Sequence, residues 1–128
     1  MSTIVADLLS FNIKNSRTTT SYVGIDNVNA GKGSFGIREG IEIHVSHPDA
    51  TAIVLQHFYV EVKLVGAEYI ATSNISNSFE LGMTPGRAIK NYLELLVDDF
   101  TWLEKHEASL SPSVHEDLRL LQSYLQIV

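Results

Sequence analysis

The chain has no cysteine. Disulfides, thiolate nucleophiles and the common zinc frameworks are therefore absent from its repertoire, and a reducing compartment suits it. Basic residues are scarce: nine Lys and Arg stand against fifteen Asp and Glu, a net charge of −6, with an isoelectric point near 5.2. Such a surface repels phosphate backbones, so no direct nucleic-acid binding is expected. It suits a soluble protein, and it suits one that meets a basic partner, since complementary fields speed encounter. No apolar run is long enough to span a bilayer. Residues 1–7 carry an acid and no basic stretch, unlike an export signal. A soluble, cytoplasmic protein without a membrane partner is the expectation.

What is present reads as α+β. The 128 residues fit one domain, 1–128, with 45% hydrophobic residues to fill a core. Residues 1–81 are mainly β and 82–128 form two helices. Leu9, Phe11 and Ile13 alternate with polar neighbours as in a half-buried strand, and Val23 with Ile25 suggests a weak second one. Asn29 to Gly36 contains three glycines and a lysine. It lacks the spacing of a phosphate-binding loop and does not lead into a helix, so a flexible hairpin loop is expected. Ile41, Ile43 and Val45 alternate with Glu42, His44 and Ser46, and Gly40 marks a bend or bulge. His47-Pro48-Asp49-Ala50 reads as a turn. Phe58, Val60, Val62 and Leu64 form the strongest strand pattern. Gly66-Ala67-Glu68 connects it to Tyr69–Ser73, giving a central hairpin. Ser76–Leu81 extends the β region.

The sharpest local signal is Gly82-Met83-Thr84-Pro85. Thr84 is an N-cap and Pro85 occupies the first helical position, where its missing N–H costs nothing. Ala88, Ile89, Tyr92, Leu93, Leu96, Phe100 and Leu103 then recur on one face, and the helix should end near His106-Glu107. Ser111 and Pro112 repeat the cap for a second helix, read as continuing towards Val128, with Val114, Leu118, Leu121 and Leu125 as its stripe. A short link between amphipathic helices implies an antiparallel hairpin. The predicted fold is an antiparallel sheet of about five strands with this C-terminal helical hairpin packed on one face.

The residues offer little catalytic chemistry. The five histidines do not converge in any evident spacing, so no metal site is expected. There is no Gly-x-Ser-x-Gly elbow around a serine. Nothing points to a cofactor. Glu94, Asp98 and Asp99 form an acidic cluster on the first long helix, read as a solvated face that could serve a charged partner. Trp102 lies off the apolar stripe. It is expected to pack beneath the second helix, with a place in a binding hot spot as the competing reading.

Tyr69-Ile70-Ala71, followed by Gly82, Thr84, Ala88 and Asn91 in the pattern G-x-T-x-x-x-A-x-x-N, resembles HicB-like antitoxin domains. The resemblance covers residues 58–96 and implies a β-hairpin, a short loop and a helix start in that order. Beyond it the chain departs, because Ser111 to Val128 reads as a second helix, so the DNA-binding module of that family is not carried over. The stretch Ile41–Leu81 is also similar, more loosely, to SecB-type chaperone sheets. Both resemblances imply work done by binding other proteins. Acidic charge, missing catalytic machinery and the antitoxin resemblance together suggest a non-enzymatic inhibitor of a basic toxin or nuclease. Glu94, Asp98, Asp99 and Trp102 are its candidate contact residues. Two alternatives stand beside it: a ligand-binding or enzymatic domain with a pocket between sheet and helices, and a SecB-like chaperone. Self-association is left open.

Overall fold

A computed structural model of the chain describes residues 13–15, 18–20, 25–29, 32–46 and 49–128. The class is α+β, with every described strand but the last preceding two helices, but the strands form two antiparallel sheets rather than one. Seven of them are long or well framed: β4 (Lys32–Ile37), β5 (Ile41–Ser46), β6 (Asp49–Val54), β7 (Phe58–Val65), β8 (Glu68–Ser73), β9 (Phe79–Gly82) and β10 (Leu125–Ile127). They divide into a four-stranded sheet in the order β4-β7-β8-β9 and a three-stranded sheet in the order β10-β6-β5. Short segments β1 (Ile13–Asn15), β2 (Thr18–Thr20) and β3 (Ile25–Asn29) add to the edges. β3 lies beside β4, and β1 and β2 continue outward from β5, so among the described residues each sheet reaches five strands.

The division into two sheets comes from one bent hairpin. β5 pairs with β6, and on the same two arms β4 pairs with β7. The arms break together, at residues 38–40 on one side and 55–57 on the other. Gly40 sits in the break at φ 89°, a conformation that side chains with a Cβ avoid. Its N–H donates to the Val54 carbonyl at 2.7 Å, which ties the arms together across the bend. The bend expected at Gly40 thus ends one sheet and begins the next.

Several sequence expectations change. Lys32–Ile37 is a strand paired along β7, not a loop, because Phe35 and Ile37 are both fully buried and anchor it. Asp49–Val54 is a strand that its mixed composition concealed. Ser46 faces Asp49 across the β5–β6 hairpin, while the turn expected at His47-Pro48 lies outside the described residues. So do Leu9, Phe11 and Val23. The second helix stops at Tyr124, and Leu125–Ile127 pairs with β6 as β10, so Leu125 is buried as part of a sheet rather than a helical stripe.

Helix α1 (Pro85–Lys105) and helix α2 (Pro112–Tyr124) start as expected. Thr84 Oγ1 accepts from the Arg87 N–H at 3.1 Å, and Ser111 Oγ accepts from the Val114 N–H at 3.4 Å. The helical hairpin does not lie on one face of one sheet. α1 touches β7, β8 and β9 of one sheet and β5 and β6 of the other, so it fills the angle that the bent hairpin opens. Ala88, Ile89, Tyr92, Leu93, Leu96, Val97 and Phe100 are buried there, against Phe35, Ile43, Val54, Val60 and Ala71 among others. α2 runs beside α1 and contributes Leu118 and Leu121 to this core.

Candidate functional site

Helix α1 meets the edge strand β9 at very close range. A Cβ added to Gly82 would collide with the backbone of Ala88, so only glycine lets the first turns of the helix approach the strand. Ten residues after Leu81, Asn91 reaches back and donates from Nδ2 to the Leu81 carbonyl at 2.9 Å. The Leu81 N–H donates to Glu80 Oε1 at 3.2 Å. Both backbone groups of the middle of β9 are therefore held by side chains. Alternation along Phe79–Gly82 sends Glu80 and Gly82 to the helix side, while Phe79 and Leu81 point to the opposite, outer face.

On the helix side an open groove of about 390 Å³ is lined by Glu80, Asn91, Glu94, Leu95 and Asp98, with Val45 and Ser46 across from them. Residues 91, 94, 95 and 98 share one helix face through their three- and four-residue spacing. Three carboxylates thus share the groove with the apolar side chains Val45 and Leu95. Among the described residues, only Glu94 of the three has a cationic partner, Lys90 at 3.9 Å.

The four residues singled out from sequence do not form one surface. Glu94 and Asp98 line the groove. Asp99 turns away and accepts from Ser78 Oγ at 3.2 Å. Burial, reinforced by the neighbouring Asp98, raises its carboxyl above the ordinary value, while the Ser78 hydroxyl pulls it down. Nearby, the Tyr92 hydroxyl shares hydrogen bonds with Ser73 Oγ at 2.5 Å and Ser76 Oγ at 2.8 Å. Burial raises the Tyr92 hydroxyl's pKa, with the Asp99 charge adding to it. Ser73, Ser76 and Ser78 thereby fasten the 73–78 loop to the helix, a structural task. Trp102 does not pack beneath α2. It is 55% exposed and stacks on His106 with ring centroids 4.1 Å apart, because the 102–106 spacing brings the two rings onto the same helix face. The His106 ring is held there by Nδ1 against the Trp102 carbonyl at 2.8 Å.

Glu80 escaped the sequence reading, and Asn91 entered it only as the last position of the helix-entry pattern, not as a groove residue. The period-2 alternation of Phe79–Gly82 carries the signal for Glu80, but its place beside α1 depends on the close approach at Gly82. The histidines lie apart. His44 pairs with Asp49 at 3.4 Å and with Thr51 Oγ1 at 2.8 Å. His57 packs on Tyr59 at the hairpin bend, beside a second open cavity of about 400 Å³ that Glu61, Ser73 and Tyr124 also line. His115 is half-buried on α2. His47 lies outside the described residues. No cluster of three or more metal-ligating side chains occurs among the described residues, and no helix there is long and apolar enough to cross a membrane. Comparison with family models, with curated proteins and with solved structures finds no match to this chain.

Proposed function

We propose that the protein acts by binding another protein rather than by transforming a small molecule, as an inhibitor of the immunity or antitoxin type that neutralises a basic toxin or nuclease. The observation that carries this reading is the groove itself. Glu80, Glu94 and Asp98 line one open concavity together with the apolar side chains Val45 and Leu95, in a chain of net charge −6. A lysine or arginine from a partner would bring its charge to the carboxylates and lay its aliphatic stem along Leu95 and Val45. The partner is expected to be encoded beside this chain. Co-expression with the product of an adjacent gene, followed by co-purification, tests the reading. Wild type should retain a basic partner that a Glu94→Lys/Asp98→Lys variant loses, and equal retention by both would remove the groove from the interface.

A second reading, a SecB-like chaperone that holds unfolded chains, draws support from Met83 and Trp102. These large apolar side chains are 69% and 55% exposed, one just before α1 and the other near its end. Suppression of aggregation of several unrelated unfolded proteins would favour this reading over a one-partner inhibitor.

A further inference from the structure

The outer face of the β4-β7-β8-β9 sheet, away from α1, has a charge pattern unlike that of the chain as a whole. Pairing of β7, β8 and β9 sets two adjacent rows across it: Glu61–Thr72–Phe79 and Lys63–Ile70–Leu81. Phe79 and Leu81 are 55% and 39% exposed there. On β4, β7 and β8 the charges of this face balance, with Glu61 and Glu68 against Lys32 and Lys63, whereas the whole chain carries −6. A copy of an acidic protein is repelled by acidic surface, so a neutral, partly apolar face is where like can meet like.

We propose that this face is a two-fold interface with a second copy of the chain. A two-fold axis lying in the interface and running across the strands, between the two rows, exchanges them. Glu61 of each copy then faces Lys63 of the other. Thr72 faces Ile70, and Phe79 faces Leu81. The rows are complementary to each other, so the face is complementary to itself. Pairing through the β9 edge is not the alternative route, because Glu80 and Asn91 already hold the backbone groups of Leu81. The groove beside α1 lies on the other side of β9 and stays open in such a dimer.

The test is sedimentation equilibrium of the purified full chain and three variants. Wild type should be a dimer. Lys63→Glu sets acid against acid twice and should weaken association at least tenfold. The exchange Glu61→Lys/Lys63→Glu restores opposite charges across the axis and should recover most of that loss. Phe79→Ser should also weaken association, while circular dichroism stays at wild type because the side chain is exposed. A monomeric wild type overturns the proposal, including one in which this face instead captures unfolded chains. So does a dimer that the charge reversal leaves intact, or one in which the exchanged pair is as weak as the single reversal.

Discussion

Thr84 accepts one of the amide protons that the first turn of α1 would otherwise leave without a partner. Thr84→Ala should therefore cost about 1 kcal/mol, read from urea melts. Tyr92 is a different case, since its buried hydroxyl binds two serines at once. Tyr92→Phe removes both bonds, leaving Ser73 and Ser76 only the backbone N–H groups of Ile75 and Ser78, and should cost about 1–3 kcal/mol. Beside it, Asp99 gives the fold a pH dependence whose sign follows from its surroundings. Burial raises its carboxyl above the ordinary 3.8, so the folded state holds that proton more tightly than the unfolded chain. This contribution to stability is complete below the unfolded value and is lost as pH rises through the folded one. Asp99→Asn should remove that dependence and leave the protein at least as stable as wild type at neutral pH. Melts of both proteins across the acid range check it, and a steeper decline with rising pH in the variant would contradict the assignment.

At the scale of elements, α1 is the piece on which both sheets rest. Leu93 is buried in the middle of its apolar face, and Leu93→Ala should cost about 2–5 kcal/mol. Gly82→Ala should also destabilise, by about 1–3 kcal/mol, because the Cβ meets backbone that cannot swing aside. The two helix starts and the β7–β8 hairpin were legible in the sequence because each is written locally: Thr84-Pro85, Ser111-Pro112, and alternation on both sides of Gly66-Ala67. β4 was not legible, since its glycines resemble a loop and only pairing along β7 makes them a strand. β10 was hidden for a similar reason. Leu125 continues the spacing of Leu118 and Leu121, and only β6 waiting alongside turns the chain from helix to strand. Of the candidate site, Glu94 and Asp98 could be read from helical spacing. Asp99 could not be separated from them in the sequence, because one residue of helix, about 100° of rotation, carries its side chain from the groove to the Ser78 hydroxyl.

For the whole molecule, the bent hairpin decides what the surface can offer. It wraps α1 on two sides and leaves exposed the helix face that carries Asn91, Glu94 and Asp98. Charge on that face should govern the rate of meeting a basic partner more than the stability of the fold. The Glu94→Lys/Asp98→Lys variant should slow association and flatten its salt dependence, with melting behaviour close to wild type, since exposed charges contribute little to folding. Stopped-flow association across a salt series is the measurement. An unchanged rate would place the contact elsewhere on the molecule.

The Asn91 bridge to Leu81 has a consequence for the life of this chain in a crowded solution. Every open sheet ends in a strand whose spare backbone groups can recruit a passing stretch of polypeptide, and repeated recruitment is how fibrils grow. Here a single amide side chain from the neighbouring helix occupies the spare carbonyl. At Leu81 that safeguard forms only once α1 has docked. Until then β9 carries Phe79 and Leu81 beside an unguarded carbonyl, so the interval before the helix settles is the one in which this protein is open to aggregation.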